Sequence, residues 1–514
     1  AAMTVFFAMQ WKNMRFTYTE ANLLPDDHKY NEEYQEFLDK FGEEGNLIII
    51  GIKDSTLFTP DNFKAWTKLS KDLSEYKEVE LSLSIGDLQK LEKREDTAAF
   101  QLVPFINDSV LDSEKLERYR YELFNKLPFY EGLVYSPNKE SVRTAVYLKK
   151  DIVNTPARRD FIINDLIPLI DAFEFETGIK VYTSGMPYIR TLNSQNIIDE
   201  IRWFIGAALL VTSLIFFFFF RSFRATFIST LVVIIGVMWS FGVLGLLHYE
   251  ITVLTALIPP LIIVIGIPNF ILTQSKLLKE FGTVASINIL AIFLLSLFII
   301  PIAYSYMAIP KYKHLKHLNK RWIGRFVSWM ERMVREHRIA IYITTIVLLC
   351  TSIIGIYNIK LSGSLIEDMP KNKPFFQDIK FFEKEYEGIM PLEILVDTKR
   401  KKGVMNLATL KRMDELQNYM EEIPELSTTL SVVQLVKYSK QAYYNNNPEY
   451  YQLPNSQERT FILSYAKSST NDTNLLSSYV DSTGQYARIT TFMKDTQTER
   501  FDRIEEDIRS QIEK

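Results

Sequence analysis

Trp203-Phe-Ile-Gly-Ala-Ala-Leu-Leu-Val-Thr-Ser-Leu-Ile-Phe-Phe-Phe-Phe-Phe220 runs for 18 residues without a charge and stops at Arg221-Ser-Phe-Arg224. As a helix such a run is about 27 Å long, the thickness of a bilayer's hydrocarbon layer. A water-soluble fold has no use for five consecutive phenylalanines facing every direction. Further apolar stretches follow at Ala225–His248, Ile251–Thr273, Thr283–Met307 and Ile339–Asn358. They separate two polar segments, 14–200 and 359–514, each large enough for a domain. The sequence therefore predicts an α-helical polytopic membrane protein with two large extramembrane domains.

Charge orients the spans. Arg221-Ser-Phe-Arg224 is basic, while His248-Tyr-Glu250 lacks Lys and Arg, so the first turn is expected inside and the second outside. The segment 311–338 carries nine Lys and Arg against Glu331 and Glu336 and is also expected inside. Within it Trp322, Ile323, Phe326, Met330, Met333 and Val334 recur at helical spacing. This is an amphipathic helix, either lying on the inner membrane face or packed on protein. Span parity then fails, and one further crossing near 270–275 would restore it.

A shift of 345 residues places Pro25 on Pro370, Tyr30 on Phe375, Phe37 on Phe382 and Phe41 on Tyr386. Leu47 falls on Leu392 and Ile49 on Ile394, and far downstream Arg143 still meets Arg488 and Tyr147 meets Phe492. One register held over that distance indicates a duplicated unit. The repeat leads us to expect that residues 1–13 end a first span and that the second copy continues past Lys514. In the first copy strands are expected at Asn46–Lys53 and Val79–Ser84 around a helix Asp61–Leu73. A hairpin of Gly132–Ser136 with Val142–Lys149, a helix Arg159–Phe173 and a strand Lys180–Ser184 should follow.

Four stretches resemble the resistance-nodulation-division superfamily, in particular its hydrophobe-exporter and MmpL-like branch. Leu277-Leu278-Lys279-Glu280-Phe281-Gly282, with Ala285, Asn288, Ser296 and Pro301, is similar to that superfamily's sixth span. Phe219-Phe220-Arg221-Ser222-Phe223-Arg224 is similar to its turn between spans two and three, and the run from Leu257 to Asn269 to its fourth span. Gly185-Met186-Pro187-Tyr188 with Arg190 resembles the exit from the first domain. The resemblance implies two duplicated α/β porter domains of ferredoxin-like, βαβ type, both periplasmic, on a bacterial inner membrane. It divides the membrane part into helices two to four (201–273), helix six (274–310, with helix five missing near 270–275), the basic segment (311–338) and helix seven (339–358). It implies export of a lipid-like or other hydrophobic cargo, with membrane lipids and envelope proteins or a second copy as partners.

Within that frame the transport-path candidates are Pro259, Pro260, Gly266, Pro268, Asn269 and Asn288. The prolines remove backbone donors and kink the span that carries them, which either lines a cavity or only shapes packing. Drug-exporting members titrate acids in the fourth span, where this chain has Pro268 and Asn269. Thr255, Ser286 and Asn288 read as hydrogen bonds between helices. Among the soluble segments we find no catalytic constellation, no phosphate-cradling loop and no plausible metal cluster, since His314 and His317 sit among lysines. A net charge of −3 gives no reason to expect nucleic acid, and the one cysteine, Cys350, excludes an intrachain disulfide. No cofactor is expected. A non-transporting scaffold or accessory of protein or lipoprotein export is the other function this sequence allows.

Overall fold

The computed structural model describes residues 2–16, 28–42, 45–95, 99–108, 110–220, 222–251, 276–306, 321–357, 370–468 and 476–513. The chain is mostly helical, with small sheets, and divides into two compact units. One comprises 1–31 with 194–361, the other 32–193 with 362–514.

Among the described residues four helices are long and apolar enough to cross a membrane: Met186–Phe218, Phe223–Leu246, Leu278–Ser305 and Arg338–Tyr357. Their surfaces are apolar where a soluble protein would be polar, with Trp203, Phe218, Phe227, Phe293 and Ile346 all largely exposed. The sequence places the first span's start at Trp203, but α7 runs unbroken from Met186 to Phe220. Trp203 marks only where the charges Asp199, Glu200 and Arg202 stop; Pro187 sits in the first turn, where its missing N–H costs nothing. The expected span Ile251–Thr273 lies almost wholly outside the described residues.

Small residues set the packing among α1 (Ala2–Met9), α8 (Phe223–Leu246) and α9 (Lys276–Ser305). A Cβ on Gly242 would collide with Phe7, and one on Gly245 with the Gln10 carbonyl, so both positions let backbones approach closely. The Trp239 indole donates to Thr4 Oγ1 at 3.2 Å and that of Trp11 to the Met238 carbonyl at 3.3 Å. On another face of α8, Gly236 accommodates Ile292. Arg15–Phe16 (β1) pairs in parallel with Glu250–Ile251 (β8).

The second unit contains two α/β halves. In the first, β2 (Leu47–Ile52), α3 (Pro60–Ser74), β3 (Val79–Leu83), β6 (Val142–Leu148), a helical run from Pro156 to Thr177 and β7 (Tyr182–Ser184) form a βαββαβ unit. Its sheet has the order β3-β6-β2-β7, antiparallel throughout. Both central strands are apolar and buried, as Ile48, Ile50, Ile52, Val142, Val146 and Leu148 show, and helix residues Trp66, Leu73, Phe161 and Phe173 cover them. Between β3 and β6 stand a hairpin, β4 (Gln89–Arg94) with β5 (Ala99–Pro104), and α4 (Ser113–Lys126).

One expectation needs correction here. Gly132–Ser136 is not a strand but a turn-rich segment joined to Val142 by one bridge at Tyr135. Val142–Leu148 is buried along nearly its whole length and needs a strand on each side, which β2 and β3 supply. The expected helix Arg159–Phe173 contains a π-helical turn at Ile162–Leu166, leading into Pro168, which lacks an N–H to donate.

In the second half, β9 (Met390–Asp397), α13 (Leu407–Glu421), β10 (Leu430–Ser431) and β11 (Tyr486–Met493) give the sheet order β10-β11-β9. That repeats β3-β6-β2. The 345-residue shift carries β2 onto 392–397 and β6 onto 487–493, within β9 and β11. Pairing differs by one residue: Gly51 stands opposite Arg143, but Leu395 stands opposite Arg488.

Candidate functional site

Of the six transport-path candidates, Pro259, Pro260, Gly266, Pro268 and Asn269 lie outside the described residues, so the structure does not bring the set together. Asn288 is described. It is fully buried in α9, its Nδ2 donates to the Val284 carbonyl at 2.8 Å, and its Oδ1 has no hydrogen-bond partner. An orphan acceptor is costly in an apolar interior, so this position is primed for a donor. Ser286 Oγ on the same helix is likewise buried without a partner.

A more complete arrangement lies along the seam of the two α/β halves. It arises because the halves exchange their first helices. α12 (Pro374–Glu385), which begins the second half, packs on the sheet of the first: Phe375, Phe376 and Ile379 join that core, and Phe382 joins Ile49. Phe381 stacks on Tyr182 of β7 with ring centroids 3.9 Å apart. In return α2 (Lys29–Phe41), which begins the first half, sends side chains to the second. Lys40 lies over the Tyr486 ring at 4.6 Å, and Arg488 lies 5.7 Å from Phe37 and 5.8 Å from Phe41. Arg143 sits over Tyr386 at 4.5 Å. The 345-residue shift interconverts the Arg143–Tyr386 and Arg488–Phe41 contacts, so the exchange is reciprocal.

Charged groups gather along this seam, some of them buried. Arg143 donates through Nε to the Leu133 carbonyl at 3.0 Å and through Nη2 to that of Gly132. Burial pulls the guanidinium below its ordinary value, and burial also pushes the Tyr386 phenol up to about 12. Lys53 bridges Glu140 at 2.6 Å and Glu385 at 2.7 Å, and Asn138 Nδ2 donates to Glu385 at 2.9 Å. Asp378 of α12 is 8% exposed; desolvation pushes its carboxyl up to about 7 against the pull of Lys180 and the Thr183 backbone N–H, with Glu174 adding to the rise. The Thr183 N–H that reaches this carboxyl lies in β7, two residues before Gly185. Gly185 itself has φ +108°, and a Cβ there would strike the Leu47 carbonyl.

Aromatic side chains also meet at this seam. Phe129 stacks on Tyr438 at 4.6 Å, and the Tyr438 hydroxyl accepts from the Leu91 N–H at 2.9 Å. Lys93 lies over Tyr443 at 4.5 Å, and Tyr444 stacks on Tyr450 at 4.1 Å. Tyr451 lines a cavity of about 160 Å³ with Phe129, Glu131, Gln417, Glu421 and Gln434. Lys437 pairs with Asp414 at 2.5 Å on its wall. Burial raises the Glu131 carboxyl, and the nearby Glu421 and Glu387 add to this. Its charged lining is three acids, Glu131, Asp414 and Glu421, against Lys437, which suits water or a small cationic group better than an acyl chain. Among the described residues no group of His, Cys, Asp and Glu is placed to hold a metal ion.

Sequence reasoning missed Asp378, although a signal was present. Phe375, Phe382 and Ile379 mark the apolar stripe of a helix, and Asp378 falls on it at i+3 from Phe375 and i−4 from Phe382. Arg143 was visible only as a repeat position, because its burial comes from the exchanged helix. No protein-family model matches this chain, and no curated protein matches it.

Proposed function

We propose that this chain is a permease of the resistance-nodulation-division type, exporting a lipid-like or other hydrophobic molecule from a bacterial inner membrane. The observation that carries this reading is the duplicated, helix-exchanged pair of α/β halves in a chain whose described residues also include four helices long and apolar enough to cross a membrane. The strand order of the first half agrees with a ferredoxin-like porter domain. Apolar helices Ala2–Met9 and Arg338–Tyr357 precede the first and second halves, as a duplicated layout requires. In this reading both halves are periplasmic, and Pro259, Pro260, Gly266, Pro268, Asn269 and Asn288 belong to the path through the membrane.

A scaffold or accessory role in protein or lipoprotein export is the second reading. It is favoured by Pro268 and Asn269 standing where proton-driven members of that superfamily place acids, and by the charged groups Glu131, Asp414, Glu421 and Lys437 on the wall of the seam cavity. Mass spectrometry of molecules co-purifying with the full chain separates the two. Export predicts one hydrophobic species enriched far above its share of the membrane; bulk lipid in bulk proportions, together with a stoichiometric envelope protein, would favour the scaffold.

A further inference from the structure

Helix α10 (Arg321–Glu336) carries an apolar face that nothing covers among the described residues: Phe326, Val327, Trp329, Met330 and Val334 are each 49–61% exposed. At about 100° per residue these side chains fill one arc of the helix, and Trp322, Ile323 and Met333 fall in the same arc by sequence. Arg321, Arg325 and Arg332 fall together on one flank of that arc, next to Trp329, with Glu336 at the flank's end. Glu331 lies on the other side and pairs with Arg335 at 3.7 Å. The next helix, α11 (Arg338–Tyr357), is apolar enough to cross a membrane and has no buried residue. Only His337 separates the two, so their end Cα atoms lie at most about 7 Å apart.

We propose that α10 lies in the bilayer interface and that Arg321, Arg325 and Arg332 bind anionic lipid headgroups. This rests on the membrane reading of the chain but on neither reading of its function. A helix tied by one residue to a membrane-crossing segment has no linker with which to leave the surface. Its apolar arc then meets acyl chains, while guanidinium groups at the arc's edge extend to headgroup phosphates, which they engage with paired N–H donors. The three arginines share one flank, so the helix presents a basic line along the headgroup plane.

The test uses the full chain with Cys350 replaced by serine and a nitroxide at either M330C or S328C, in phosphatidylcholine vesicles with and without phosphatidylglycerol. Co-flotation with the vesicles checks membrane insertion independently. We expect the label at 330 to collide with oxygen and that at 328 with a water-soluble nickel chelate. Phosphatidylglycerol should deepen the 330 label, and R321Q/R325Q/R332Q should abolish that dependence and lower retained phosphatidylglycerol by about a hundredfold, since each of the three basic residues near an anionic surface contributes a factor of about five. Nickel accessibility at 330 would overturn the interfacial placement, and shielding from both agents would show protein over the face. A 330 label indifferent to phosphatidylglycerol would overturn the headgroup assignment.

Discussion

Replacing Phe382 by alanine removes a fully buried ring from the exchanged helix α12, and the damage should surface in the other half of the duplicated unit. Phe382 clusters with Ile49 and Tyr386, and its ring lies where a Cβ on Gly51 would be only 2.9 Å away. Phe-to-Ala changes in a packed core cost about 3–5 kcal/mol, a factor of about a hundred to a few thousand in the opening equilibrium. Hydrogen exchange of the full chain in nanodiscs reads this directly. Amides of Leu47–Ile52 should exchange faster by that order, while those of Met390–Asp397 keep their rates. Gly51→Ala overpacks the same spot, and its own cost of about 1–3 kcal/mol should shrink in the Phe382→Ala background. Acceleration confined to Met390–Asp397, or strict additivity of the two changes, would refute the exchange of helices.

Three further outcomes are expected. Asp378 has a folded-state value near 7, above its ordinary value of 3.8, so the fold gains from the neutral form; stability linked to it is complete in acid and lost as pH rises through 7. Asp378→Asn should therefore raise the melting temperature relative to the parent more at pH 8 than at pH 5, inside the window from 3.8 to 7 where only part of that stability is lost, and an equal effect at both would contradict the buried-carboxyl account. Gly185→Ala forces a side chain into the Leu47 carbonyl at a left-handed φ and should cost at least about 2–3 kcal/mol, seen as a lower denaturant midpoint. Tyr438→Phe keeps the stack on Phe129 but strands the Leu91 N–H, costing about 1–3 kcal/mol by the same measurement.

What could be read from the chain depended on whether the information was local. The apolar runs, the strands at Leu47–Ile52 and Val79–Leu83 and the helix at Pro60–Ser74 follow from periodicity and turn residues close at hand. The hairpin at Gly132–Ser136 failed because Val142–Leu148 takes its partners from 47–52 and 79–83, and no neighbouring residue records that choice. The repeat register hinted at matched positions, yet it does not say that α12 crosses to the first sheet. The seam follows from that crossing: Arg143 meets Tyr386, and Asp378 is buried, only because the helices change places. Asn288 was picked out through the resemblance of its helix, and the structure places it fully buried in α9 two residues from Ser286.

Export is tested most directly in cells from which the protein can be depleted. Inner and outer membranes are separated, extracted with organic solvent and compared by mass spectrometry before and after depletion. A hydrophobic species that accumulates in the inner membrane and falls in the outer one, and is restored by the parent chain, is the predicted result. Extracts that stay unchanged in both membranes while an envelope protein loses its location would contradict export.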